Sequence, residues 1–154
     1  MSIDPLAGLN TLLHHARSER DAAALALRQA ESAAWAAQAQ ADQLAGYRGQ
    51  YHQRWSTRFT EPGTPTLLNC YHGFSGRLDQ AITQQSHSAG QAQTRLQRAA
   101  ALLLAREQRL AAVGKLIERR RAAAGLAAER SERRQLDESA ARFGAAARHP
   151  DAPS

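Results

Sequence analysis

Between Leu6 and Arg58 the chain steps by three and four residues alternately through Leu6, Leu9, Leu13, Ala16, Arg20, Ala23, Leu27, Ala30, Ala34, Ala37, Ala41, Leu44, Arg48, Tyr51, Trp55 and Arg58. All but the three arginines are apolar. A mean step of about 3.5 residues keeps one stripe facing a partner helix over many turns, so the pattern predicts a heptad seam and not a globular helix face. Asp4 and Pro5 mark its start. A carboxylate there can accept from exposed amides, and proline lacks the donor that would go unsatisfied in a first turn.

The seam stops at TEPGTPTLLNC, residues 60–70, where Pro62, Gly63 and Pro65 are packed into one short stretch. It resumes in the same spacing as Tyr71, Ser75, Leu78, Ile82, Gln85, Ala89, Ala92, Leu96, Ala99, Leu103, Arg106, Leu110, Val113 and Ile117. Two seams flanking one break predict an all-α fold, a long antiparallel two-helix coiled-coil hairpin. The expected layout over 1–154 is a single coiled-coil domain: helix 5–59, turn 60–70, helix 71–143 and a frayed tail 144–154. At about 1.5 Å per residue the first helix would be roughly 80 Å long. Folding about Pro62 and Gly63 opposes residues whose numbers total about 125, so Leu6 meets the region of Arg119 and the second helix overhangs beyond it. Alanine dominates the middle of the first seam, which lets the axes approach but removes little apolar area from water per layer.

Several function classes are excluded by what is missing. The glycines are scattered singly, and none introduces a lysine followed by serine or threonine, so there is no nucleotide-binding loop. The histidines His14, His15, His52, His72, His87 and His149 form no i,i+4 pair and have no cysteine at zinc spacing. The reading is therefore of a non-enzyme without catalytic residues, cofactor or metal. Cys70 is the only cysteine, which rules out an internal disulfide and fits a reducing compartment. The start, MSIDPLAGLN, has no signal-like pattern, and the strongest apolar run, Ala99–Ala105, is far too short to span a bilayer. A cytoplasmic protein without membrane insertion is expected.

The net charge of +6 and pI near 10.6 come from arginine, with Lys115 the sole lysine. From Arg106 to Arg142 ten basic residues stand against six acidic ones. Phosphate-binding helices concentrate unopposed cations, whereas acids recur throughout this tract, so nucleic acid is not the expected partner. A basic nucleic-acid-associated helix and a plain coiled-coil spacer are the competing readings. On the overhang, Arg119, Arg120, Arg121, Arg130, Arg133 and Arg134 are planar, permanently charged donors with no partner helix, suited to acidic groups on another protein.

Tyr47, Tyr51, Trp55 and Phe59 follow one another at four-residue steps, and Tyr71 and Phe74 lie just past the break. Gln40, Leu44, Tyr47 and Tyr51 have offsets 0, 4, 7 and 11, and Phe74, Leu78, Ala81 and Gln85 repeat them on the returning helix. Paired across the hairpin, each couple again totals 125. The eight should form a composite patch near the turn. Leu44, Tyr51 and Leu78 occupy seam positions and can equally be core, while Tyr47 and Phe74 are expected to be exposed for contact.

With those residues in view, the chain resembles the FliJ family of flagellar type III export proteins along nearly its whole length: in its N-terminal leucine/alanine helix, YRGQY at 47–51, YHGFSGRLDQAITQQ at 71–85, and the tail ERSERRQLDESAAR. The resemblance implies an antiparallel coiled coil similar to the central stalk of rotary ATPases, located peripherally at the cytoplasmic face of the inner membrane at the flagellar base. It also implies three partners: the hexameric export ATPase, whose ring the ends would enter; the membrane export gate, bound by the turn-proximal surface; and export chaperones. The gate set carries over to Gln40, Leu44, Tyr47, Tyr51, Phe74, Leu78, Ala81 and Gln85. The sequence departs from the family at Glu132, Arg133 and Arg134, where Glu-Gln-Lys is usual, and at Gln85, a position often held by histidine.

Overall fold

The computed structural model describes residues 4–58 and 64–148. Phe59, the turn residues 60–63 with Pro62 and Gly63, and the tail 149–154 lie outside the described residues. Two helices account for nearly all the rest, α1 (Pro5–Arg58) and α2 (Pro65–Ala147), with no strand among the described residues.

Each helix opens on a proline preceded by a residue whose carbonyl accepts the first backbone bond. The Leu6 amide donates to Asp4 Oδ1 at 2.9 Å and the Ala7 amide to the Asp4 carbonyl at 3.1 Å, so Asp4 is the N-cap and Pro5 the first helical residue. At α2 the Leu68 amide donates to the Thr64 carbonyl at 3.3 Å, which makes Thr64 and Pro65 the equivalent pair. The helix therefore begins at Pro65 and not at Tyr71, because Pro65 stands where a proline starts a helix and does not break one. The other end also runs longer, to Ala147 instead of residue 143.

By contact density the chain groups into two compact units, each drawing on both helices: Met1–Arg17 with Gln108–Ser154, and Ser18–Glu107. In the first unit Ala16, Val113 and Ile117 are buried together, with Leu9, Leu12, Leu13 and Leu110 packed against them. Past Ile117 every described residue to Arg148 is exposed, so the second helix does overhang the start of the first.

In the second unit the helices run antiparallel in the register anticipated from sequence. Arg106 Nη1 reaches Glu19 Oε2 at 3.0 Å, Gln85 Nε2 donates to Gln40 Oε1 at 3.1 Å, and the Tyr51 and Phe74 rings lie 4.5 Å apart. Each pair totals 125. Every seam residue of α2 is buried or half-buried, as is every one of α1 except Arg48 and Arg58. The buried members here are Ala23, Ala34, Leu78, Ala89 and Ala92, four of them alanine. Such layers hold the axes close but stabilise less per layer than the leucine, valine and isoleucine of the first unit. The partly exposed Arg106–Glu19 pair adds at most about 1 kcal/mol.

Candidate partner-binding surfaces

Near its loop end the second unit is held by aromatic side chains. The four-residue steps of α1 place Tyr51 and Trp55 one turn apart with rings 5.9 Å apart, and α2 supplies Tyr71 and Phe74 against them. Tyr71 stacks on Tyr51 at 5.7 Å and 14° and lies 5.3 Å from Trp55. The Tyr71 hydroxyl is 3.1 Å from His52 Nδ1, which gives the polar end of a half-buried ring a partner. On the adjacent layer Arg48 Nη1 bonds Asp79 Oδ1 at 3.3 Å, which explains how an arginine can occupy a seam position: its charge is carried out to the rim.

The eight residues brought together by arithmetic are neighbours in this unit, but they divide in two. Gln40, Leu44, Tyr47 and Gln85, joined by Gln43, line a shallow groove of about 390 Å³. Gln85 is fixed there by a fork, its amide donating to Gln40 Oε1 and to the Ala37 carbonyl, both at 3.1 Å. Tyr47 is 50% exposed and forms the wall. Tyr51, Phe74, Leu78 and Ala81 do not line it. Leu78 is only 7% exposed and Tyr51, Phe74 and Ala81 are half-buried, so these four support the surface from beneath. For Phe74 the expected exposure is corrected: its ring rests on Tyr51, since its flanking position leans into the space beside the seam. Gln43 was missed. It carries no pattern of its own, and only the helical step of three from Gln40 and four to Tyr47 would have pointed to it.

Tyr47 also borders a second groove of about 570 Å³, lined by Tyr51, Arg54, Trp55, Thr57 and Arg58. The Arg58 guanidinium carbon lies 5.9 Å from the Trp55 ring centroid, the distance of a cation–π contact.

The other expected surface belongs to the first unit. Arg119, Arg120, Arg121, Arg130, Arg133 and Arg134 are all exposed, together with Leu126, Leu136 and Phe143. Cys70 is exposed and unbridged. Among the described residues no group of histidine, cysteine and carboxylate side chains could hold a metal ion, and no helix is long and apolar enough to cross a membrane.

The profile of the family described as Flagellar FliJ protein matches residues 6–148, which takes in both helices and both surfaces. The chain belongs to the FliJ family. No curated protein matches it closely enough to serve as a relative. Membership assigns it to flagellar protein export, in which FliJ proteins are non-catalytic components. The match covers the whole of α1 beyond its first residue and all of α2.

Proposed function

We propose that this FliJ-family chain couples the export ATPase to the export gate without catalysing a reaction itself, and that it also receives export chaperones. It works in the cytoplasm, peripherally at the inner membrane beneath the flagellum. The observation that carries the reading is the groove of Gln40, Gln43, Leu44, Tyr47 and Gln85, in which Gln85 is tied to Gln40 and to the Ala37 carbonyl and whose wall is an exposed tyrosine. A fixed amide ladder beside an aromatic ring is suited to a protein partner: amides satisfy backbone groups, and interface energy concentrates in a few aromatic anchors. The exposed arginines from Arg119 to Arg134 supply the separate contact with acidic groups inside the ATPase ring.

The test is binding of Tyr47→Ala to the purified cytoplasmic part of the gate protein, beside a circular dichroism melt. An unchanged melt with binding weakened by about ten-fold or more fits an anchor residue. Undiminished binding would remove Tyr47 from the interface and the groove from the proposal.

A further inference from the structure

The second groove shares Tyr47 and Tyr51 with the gate set, but its Arg54, Trp55, Thr57 and Arg58 are not accounted for by gate binding. Over the described residues 47–58 and 64–77 there are four arginines, Arg48, Arg54, Arg58 and Arg77, and not one aspartate or glutamate; Glu61 lies outside the described residues. Arg48 is engaged with Asp79 and is left aside. Arg54 and Arg58 flank the aromatic groove with Tyr47, Tyr51 and Trp55. Trp55 touches Tyr71 of α2, and one turn before Tyr71 stand Leu67 and Leu68, 45% and 43% exposed. The patch thus runs from cationic guanidinium groups, over indole and phenol rings, to two adjacent exposed leucines in the first turn of a helix.

We propose that the described face made by Arg54, Arg58, Trp55, Tyr71, Leu67 and Leu68 docks on an anionic phospholipid surface. The three layers correspond to those of a bilayer interface. Guanidinium groups pair with phosphates, Trp55 and the tyrosines suit headgroup depth where a ring with a polar end is half wet, and Leu67 and Leu68 reach the acyl boundary. The groove carries two arginines, Arg54 and Arg58, whose guanidinium donors suit a phosphate. Nucleic acid accounts for the arginines but not for paired exposed leucines, and an acidic protein partner would more naturally be met by the arginines of the extension, which carry no adjacent leucine pair. The inference is independent of gate binding, because it requires no protein on the membrane side.

The experiment uses the intact chain and vesicles free of protein. Co-sedimentation is measured with phosphatidylcholine vesicles containing about one-third phosphatidylglycerol and with pure phosphatidylcholine, since the attraction is expected to be worth about five-fold per arginine. The chain should partition onto the anionic vesicles and not onto the neutral ones. The double variant R54Q/R58Q should lose about 25-fold, and L67S/L68S about ten-fold or more, with helical content unchanged by circular dichroism. R119Q/R120Q, an equal loss of charge elsewhere, should bind as the parent does. In Trp35→Phe, which leaves Trp55 as the only one of the two tryptophans, fluorescence should shift to the blue on vesicle addition. Equal binding to neutral vesicles, equal loss in R54Q/R58Q and the control, no blue shift, or a patch that binds single-stranded oligonucleotide while ignoring vesicles would each overturn the proposal.

Discussion

Arginine is the dominant cation in two regions of this molecule, and the two use it in opposite ways. At the loop end of the second unit, arginines stand among aromatic rings with no described acid in the same segments; one of them, Arg58, lies over an indole. On α2 beyond Ile117, arginines alternate with Glu118, Glu129, Glu132, Asp137 and Glu138, every residue is exposed, and Phe143 is the sole aromatic. The first arrangement is a surface finished by its own hairpin. The second has no tertiary support at all, so its arginines are available to whatever encloses them. Charge count alone does not separate the regions; neighbours do.

The largest expected effect comes from removing one side of that comparison. A chain ending at Glu118 keeps the buried Ile117 and loses eight exposed arginines, the six of the proposed ATPase contact together with Arg142 and Arg148. It should no longer bind the export ATPase, yet melt as the full chain does, because no described residue beyond Ile117 is buried. Pull-down with purified ATPase beside a thermal melt checks it; retained binding would move the contact elsewhere. Cutting after Leu116 would confuse the result by taking Ile117 with it.

Next in size are the buried seam positions. Ile117→Ala in the first unit should cost about 2 to 4 kcal/mol, read as a lowered denaturant midpoint, since it leaves a cavity among Ala16, Val113 and their neighbours. Tyr51→Ala should cost about 2 to 3 kcal/mol through its contacts with Trp55, Tyr71 and Phe74. Tyr47→Ala, one turn away, should stay within about 0.5 kcal/mol of the parent. If Tyr47→Ala melts as early as Tyr51→Ala, the distinction between wall and support is wrong. Because the chain forms two compact units, these variants also ask whether both unfold together, which coincident circular dichroism and fluorescence transitions would show.

The smallest effects are polar. Arg106→Ala should cost no more than about 1 kcal/mol, less at high salt, because the Glu19 pair is partly exposed. Leu136→Ala on the extension should fall within about 0.5 kcal/mol despite removing a large apolar side chain, since that side chain is 68% exposed. A loss comparable to Ile117→Ala would mean the extension is packed against something in solution.

The seams were legible because a long coiled coil repeats one rule at every layer. Ala23, Ala34 and Ala92 are buried, although alanine is a weak hydrophobic signal, because the spacing around them left no other face. The register was legible too, since Gln40 with Gln85 and Tyr51 with Phe74 follow from a single fold point. Pro65 was misread because a proline after a turn residue and a proline before a helix look alike until the carbonyl of Thr64 is seen to accept. Phe74 was misread for a different reason. Flank positions lie at the margin of the seam, and whether a ring there turns inward depends on its neighbours, here Tyr51, and not on its place in the repeat.

The bare helix from Glu118 to Ala147 has a further consequence. A helix without tertiary contacts is held by propensity and by near-neighbour charge pairs such as the spacing of Glu129 to Arg133 and Glu138 to Arg142, each contributing about 0.2 to 0.5 kcal/mol, with Gly125 set against them. Its formation is cooperative but shallow, so the number of turns wound at a given temperature is itself an equilibrium quantity. A ring that closes around this segment selects its length as well as binding it. Under the proposed ATPase contact, part of the affinity is then spent winding the last turns, and warming the free protein shortens the segment offered for binding.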